Sequence, residues 1–79
     1  MRLDKFLKVS RIIKRRTVAD EACTAGKVAL NGKIAKSGAT VKVGDILEVR
    51  LGNNALKCEI LAVENSVSKA DASLMYRVI

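Results

Sequence analysis

The chain has 79 residues and a formal net charge of +7, and 49% of its residues are hydrophobic. This length allows one domain, residues 1–79, with a small core and no second domain. No apolar run approaches the roughly 20 residues of a transmembrane helix, and the charged N-terminus is unlike a secretory signal. We therefore expect a cytoplasmic protein with no membrane partner.

The first residues predict a short amphipathic helix from Leu3 to about Val9. Its inward side combines apolar residues with one serine at helical spacing: Leu3, Phe6, Leu7, Ser10 and Ile13. Lys5 and Lys8 lie on the opposite, outward side. The segment from Ser10 to Arg16 is expected to form a connector or one further turn.

A second helix is predicted over Val18–Ala25. Thr17 and Asp20 have the spacing of a capping box at its start, although aspartate is shorter than the usual glutamate. Gly26 is expected to end the helix as its C-terminal cap.

After Gly26 the hydrophobic period changes to two, which is typical of strands. Asn31-Gly32 between two short apolar segments predicts a hairpin of Val28–Leu30 with Lys33–Ile34. The remaining predicted segments are a loop at Ser37–Thr40, a turn at Val43–Asp45, a strand at Ile46–Leu51, a turn at Gly52–Asn54, a strand from Ala55 to about Val63, a polar segment with a helical turn at Asn65–Ala72 and a closing strand at Met75–Ile79. The predicted fold class is α+β, with two short N-terminal helices packed on a small antiparallel sheet.

Catalysis and metal binding are not expected. The chain has two cysteines and no histidine, so Cys23 and Cys58 are too few ligands for a zinc site. A disulfide is not expected without an export signal, and we interpret both cysteines as reduced and half-buried. The usual acid–base and nucleophile arrangements are missing, so the protein is expected to be no enzyme and to need no cofactor.

The positive charge is concentrated at the N-terminus. The first sixteen residues contain seven Lys or Arg and one Asp, whereas the rest of the chain is nearly neutral. Five of these cations recur every third residue and would fan across one side of a helix. Four of the seven are arginines, whose planar donors match phosphate oxygens bidentately. The basic candidates are Arg2, Lys5, Lys8, Arg11, Lys14, Arg15 and Arg16.

Three other interpretations of this segment are weaker. A solvated surface does not require charges of one sign or so many arginines. A membrane-surface helix is disfavoured because the apolar stripe is about two turns long and lacks Trp. A DNA-reading helix-turn-helix is disfavoured because the second helix begins with Asp20 and Glu21, which would face phosphates.

Nucleic acid therefore remains, and structured RNA is favoured. Phe6 and Tyr76 are the only aromatic residues, so no platform exists for stacking single-stranded bases. Asn31 and Lys33 either form only a hairpin tip or extend the RNA surface if that tip folds back beside the first helix. Asp4 either stabilises the helix N-terminus, the interpretation that we favour, or orients arginine or accepts a hydrogen bond from RNA.

Three blocks in this order resemble the RNA-binding domain named after small-subunit ribosomal protein S-four, also called the alpha-L motif. They are RLDKFL followed by SR and KRRT near the N-terminus, AGKVALNG around the predicted hairpin, and VKVGDILEV at the following strand. The resemblance covers about residues 1–50, and residues 51–79 would supply the C-terminal strands. It implies two helices on a small sheet whose basic face binds rRNA or tRNA.

Among stand-alone members, the chain is similar to relatives of heat-shock protein fifteen that act in bacterial ribosome-associated quality control (RQC). This resemblance implies a monomeric factor that binds an obstructed large ribosomal subunit and holds its peptidyl-tRNA while alanine tails are added. The implied partners are large-subunit rRNA, peptidyl-tRNA and the alanine-tailing factor RqcH. Its implied RNA contacts are Arg2, Asp4, Lys8, Arg11, Arg16 and the Asn31 hairpin. The alternative functions are an RNA-binding adaptor for a separate RNA-modifying or tRNA-charging enzyme, and a protein–protein adaptor.

Overall fold

The computed structural model describes all 79 residues as three α-helices and a five-stranded antiparallel sheet. The elements in chain order are α1 (Leu3–Val9), α2 (Arg16–Thr24), β1 (Val28–Leu30), β2 (Lys33–Ile34), β3 (Ile46–Leu51), β4 (Asn54–Ile60), α3 (Lys69–Ala72), a 3₁₀ turn (Ser73–Met75) and β5 (Tyr76–Val78). The predicted α+β class, with two N-terminal helices on a small sheet, is confirmed. The longest helix has nine residues, and none has the length and apolar character of a membrane span.

Helix α1 has the predicted limits because its inward stripe is completely buried. Leu3, Phe6 and Leu7 have no exposed surface, and Ser10 just beyond the helix is 2% exposed. The Ser10 hydroxyl donates to the carbonyl of Leu7 at 3.3 Å, so this buried polar group is satisfied. The chain then turns sharply at Arg11, where φ is +63°, and Ile13 returns to the core.

The predicted capping box before α2 is wrong. The helix begins at Arg16, two residues before the predicted start, and Arg15 is the extended residue that precedes it without a side-chain cap. Thr17 therefore already lies inside the first turn, where its hydroxyl is not placed to cap the helix. Asp20 is exposed on the helix surface.

The predicted end of α2 at Gly26 is confirmed in detail. Gly26 has φ of +75°, and its N–H donates to the carbonyl of Cys23 at 3.0 Å. The N–H of Lys27 donates to the carbonyl of Ala22 at 2.9 Å. These two bonds form a Schellman motif, which favours glycine because the backbone is left-handed there.

The sheet has the order β2-β1-β3-β4-β5, and every pair is antiparallel. The predicted hairpin is present, with φ of +52° at Asn31 and +84° at Gly32; two positive φ angles are typical of a type I′ turn. Strand β4 begins one residue earlier and ends three residues earlier than predicted. The closing strand is also shorter than predicted, because the 3₁₀ turn extends through Met75.

A cluster of thirteen buried residues forms the core between the helices and one face of the sheet. Phe6 lies in it, as expected, and aliphatic side chains supply most of the rest. The prediction of half-buried cysteines is wrong: Cys23 is 3% and Cys58 0% exposed, because each faces the core from an element that packs on it. Both are free thiols, and burial raises the pKa of each to about 11.

Candidate nucleic-acid interface

The first feature of the interface is an arginine cluster, which consists of Arg2, Asp4 and Arg16. Arg2 Nε lies 3.2 Å from one carboxylate oxygen of Asp4, and Arg16 Nε lies 3.4 Å from the other. Arg2 precedes α1 and Arg16 begins α2, so one carboxylate joins the starts of both helices. The side chains of Arg2 and Arg16 are 55% and 48% exposed, whereas that of Asp4 is 6% exposed.

This geometry gives Asp4 a role in orientation as well as at the helix terminus. One carboxylate oxygen also accepts from the Lys5 N–H at 2.8 Å, which holds the side chain against its own helix. Burial by itself raises the pKa of the Asp4 carboxyl, but the hydrogen bonds from Arg2, Arg16 and the Lys5 N–H outweigh burial and lower it below its usual value. Asp4 therefore remains ionised and fixes both guanidinium groups.

The charges of the cluster do not cancel. One carboxylate faces two guanidinium groups, and each guanidinium carries five N–H donors, most of which Asp4 does not occupy. The hydrogen bond and charge of Asp4 raise the pKa of Arg2 above its usual value, so Arg2 stays charged. The cluster is thus a fixed, solvent-facing set of donors with a net positive charge, suited to bidentate contacts with phosphate.

Residues 37–39, which follow the first hairpin, hydrogen-bond to the part of α1 that carries this cluster. The N–H groups of Leu3 and Asp4 donate to the carbonyls of Ala39 and Ser37 at 2.8 and 3.1 Å. The Arg2 guanidinium lies beside Gly38. A Cβ atom added to Gly38 would be 3.7 Å from the nearest guanidinium nitrogen, which is ordinary van der Waals contact. The first turn of α1 is therefore held in place by residues 37–39.

The second feature of the interface is the connector between the helices. Lys8 projects from the last turn of α1, and Arg11 and Lys14 project from the connector; none of the three forms a salt bridge. The five regularly spaced cations therefore do not lie on one helix as predicted, because only Lys5 and Lys8 lie on α1. The sharp turn at Arg11 brings the later members beside Lys8 despite the end of the helix.

Arg11 occupies a position that normally favours glycine. It follows the C-cap residue Ser10 and has φ of +63°, a left-handed conformation that costs a non-glycine residue about 1–2 kcal/mol. Such strain persists where the surrounding structure imposes it, and it is common at functional sites. The strained backbone at Arg11 therefore costs stability, and it places a guanidinium beside Lys8 and Lys14.

A small pocket lies beside these cations. It is lined by Lys8, Val9, Arg11, Lys14, Asn65, Ser66 and Val67 and has a volume of about 100 Å³. Lys5 Nζ donates to Asn65 Oδ1 at 3.2 Å, which ties the loop after β4 to α1. Asn65 and Ser66 were not predicted as site residues, and no local pattern could have indicated them, because sixty positions separate Asn65 from Lys5.

The remaining predicted site residues lie elsewhere on the surface. Arg15 is exposed just before α2, and Lys33 is exposed on β2. The Asn31 side chain bonds within the protein: its Oδ1 accepts from the Ile46 N–H at 2.9 Å and its Nδ2 donates to Asp45 at 3.1 Å. The hairpin tip is therefore fastened to the turn before β3, and residues 37–39 rather than the tip bond to the first turn of α1.

Comparisons with known proteins identify relatives of this chain. The S4 domain family model matches residues 1–47. Two curated proteins named RQC P-site tRNA stabilizing factor are similar over nearly the whole chain. The protein from Streptococcus pneumoniae is 52% identical over 79 residues, covering 100% of this chain and 90% of the relative. The protein from Halalkalibacterium halodurans is 53% identical over 78 residues, covering 99% and 89%.

The fold also matches a solved structure. The structure of heat shock protein 15 from Vibrio cholerae, described as trimeric, superimposes with a TM-score of 0.94 at 30% sequence identity. The match covers 100% of this chain and 81% of that protein.

Proposed function

This chain belongs to the S4 domain family and, within it, to the family of the RQC P-site tRNA stabilizing factors, and we propose that it binds structured RNA on the large ribosomal subunit through its basic face. The RNA contacted would be rRNA together with a peptidyl-tRNA that blocks the subunit. By holding that tRNA, the protein would support the addition of alanine tails to stalled chains. The proposal rests on the family and on the arginine cluster.

The arginine cluster is the single observation that carries the proposal. Two guanidinium groups are held about one buried carboxylate and leave most of their donors toward solvent. A binding surface that is already ordered loses less side-chain entropy when it meets phosphates than a flexible one does. Such a surface recognises folded RNA by its backbone and shape.

The proposed contacts extend from the arginine cluster along α1 and the connector. They include the ten residues predicted from the sequence: Arg2, Asp4, Lys5, Lys8, Arg11, Lys14, Arg15, Arg16, Asn31 and Lys33. Asp4 and Asn31 contribute by fixing their neighbours, since the side chains of both are bonded within the protein. The role is one of binding without catalysis, in the cytoplasm, by a monomer that works with RqcH.

Substitution Arg16→Ala tests this function. We expect weaker co-sedimentation with purified large subunits and a smaller salt dependence, because each phosphate contact contributes roughly 0.9 to the slope of log affinity on a duplex and less on folded RNA. Arg77→Ala is the matched control: it also removes an arginine paired with a carboxylate, Glu59, but at the edge of the sheet. Equal binding of wild type and Arg16→Ala would show that the proposed surface is wrong.

A pull-down at moderate salt distinguishes the alternatives. Large subunits with tRNA among the captured material support the proposed function. Capture of an RNA-modifying or tRNA-charging enzyme without ribosomes would instead favour the adaptor role, and binding that survives nuclease would favour a protein partner.

A further inference from the structure

We propose that the pocket between the connector and the loop after β4 binds one backbone phosphate of the RNA, with Asn65 and Ser66 as additional RNA-binding residues. This inference rests on the proposed function, and it adds contacts from outside residues 1–47, the region that the S4 family model covers. Residues from both ends of the chain would then hold the same RNA.

The charges around the pocket favour an anion. Lys8, Arg11 and Lys14 line it and form no salt bridge with the protein. The one acid of the basic segment, Asp4, is already engaged by Arg2 and Arg16. The pocket therefore has three cations and no carboxylate among its lining residues.

The polar side chains that line the pocket offer hydrogen-bond donors, which a phosphate needs. Asn65 uses its carbonyl oxygen to accept from Lys5 Nζ at 3.2 Å, which leaves its NH₂ group as a donor. Ser66 adds a hydroxyl that can also donate. Both groups complement phosphate oxygens, which are acceptors only.

Most carbonyl groups at the end of α1, beside the pocket, are bonded within the protein. The carbonyl of Phe6 accepts from Ser10 at 2.9 Å, that of Leu7 from Ile13 at 3.0 Å, and that of Lys8 from Arg11 at 3.0 Å. Among the carbonyl groups of the last turn, only that of Val9 has no backbone donor. The three cationic side chains therefore set the net charge of the pocket lining, which is positive.

The size of the pocket selects among anions. Its volume is about 100 Å³, whereas pockets for small molecules and cofactors are usually about 300–1,000 Å³. A whole nucleotide therefore does not enter, but a single phosphate group does. The connector joins the pocket to Arg16 of the arginine cluster, so the two sites would contact separate phosphates of the same RNA.

Substitution Asn65→Asp is the sharpest test. Aspartate keeps an oxygen that accepts from Lys5, so the loop stays anchored, but it replaces the NH₂ donors with a negative charge that repels phosphate. Asn53→Asp, in the turn between β3 and β4, makes the same change in net charge outside the pocket lining. We expect Asn65→Asp to bind large subunits about tenfold more weakly, equivalent to about 1.4 kcal/mol, and Asn53→Asp to bind almost as wild type.

A second probe, inorganic phosphate, separates this inference from the proposed function. Its titration into the free protein, followed by ¹H–¹⁵N NMR, should shift the Asn65 side-chain and Ser66 backbone signals saturably in wild type. In Asn65→Asp, which has no side-chain N–H at this position, the Ser66 backbone signal should respond at least tenfold more weakly. If wild type binds subunits and Asn65→Asp binds equally, or Asn53→Asp is equally impaired, the pocket assignment is overturned. If wild type binds no subunits, the proposed function fails, and the phosphate titration alone decides the pocket: saturation at Asn65 supports it and no saturation overturns it.

Discussion

The two places where arginine meets a carboxylate have different designs. At the start of the helices, Asp4 has a side chain 6% exposed and binds two arginines. At the edge of the sheet, Glu59 has a side chain 29% exposed and binds only Arg77, on the neighbouring strand β5. The first arrangement leaves an excess positive charge in a fixed position, whereas the second is neutral.

This difference separates a binding surface from a local stabilising contact. The Asp4 carboxylate joins two helices and orients guanidinium N–H donors that remain available to a phosphate. The Glu59–Arg77 pair lies directly across two antiparallel strands, where such pairs contribute roughly 0.2–1 kcal/mol to sheet stability. We therefore expect RNA binding to depend on the Asp4 contacts and hardly at all on the Glu59–Arg77 pair.

Asp4→Asn should produce the largest effect of these. The amide preserves the shape but loses the charge that holds Arg2 and Arg16, so we expect large-subunit affinity to fall roughly tenfold, about 1.4 kcal/mol. Charge alone predicts the opposite, because the substitution makes the protein more positive. Asp20→Asn is the control, since it makes the same change in charge on the exposed surface of α2 and should bind slightly more tightly. Tighter binding by both variants would exclude an orienting role for Asp4.

The Asp4→Asn variant should also change how far the free energy of unfolding decreases at acidic pH. The pKa of Asp4 in the folded state is lowered from its ordinary value of 3.8, so the unfolded chain takes up this proton first as pH falls. The stabilisation is present above about pH 4 and is lost as pH decreases through the folded-state pKa. Urea unfolding at pH 7 and pH 3 should show a smaller loss of stability in Asp4→Asn than in wild type. If the free energy of unfolding decreased by the same amount between pH 7 and pH 3 in both proteins, this assignment would be wrong.

Arg11→Gly should separate binding from stability. Glycine adopts the left-handed backbone at this position without strain, so we expect the free energy of unfolding to rise by about 1 kcal/mol, or roughly 4–8 °C in melting temperature for a chain of this size. Affinity for large subunits should fall severalfold, with a weaker salt dependence, because a guanidinium is lost. Asn31→Gly is the control: its φ is also positive, but the lost bonds to Asp45 and Ile46 should make it less stable. Higher affinity of Arg11→Gly would refute the proposed role of the connector.

The sequence predicted the local features of this fold better than its long-range ones. Helix α1, the Asn31 hairpin and the Gly26 cap were predicted correctly because each depends on neighbouring residues. The predicted capping box failed because the helix begins at Arg16, which is bonded to Asp4 twelve positions earlier. The spacing of residues within α2 gives no information about the contact between Arg16 and Asp4.

The site was predictable in composition and not in geometry. The basic residues stand out in any count of charge, but Asp4 was expected mainly to stabilise a helix end, and its contact with Arg16 requires the packing of two helices. Asn65 reaches Lys5 only because the loop after β4 returns to α1. Residues that act through such contacts carry no local signature.

Glu59→Gln should produce the smallest effect. The carboxylate and its partner Arg77 are both partly exposed, so water and salt screen their attraction, and we expect a change in unfolding free energy within about 0.5 kcal/mol. Binding to large subunits should remain within about twofold of wild type, because the pair lies outside the proposed RNA surface and glutamine still accepts a hydrogen bond from Arg77. Thermal unfolding and co-sedimentation, measured beside Asp4→Asn, provide the comparison. A loss of subunit affinity as large as that of Asp4→Asn would mean that the edge of the sheet also contacts the RNA, and the division between the two arginine–carboxylate sites would then be wrong.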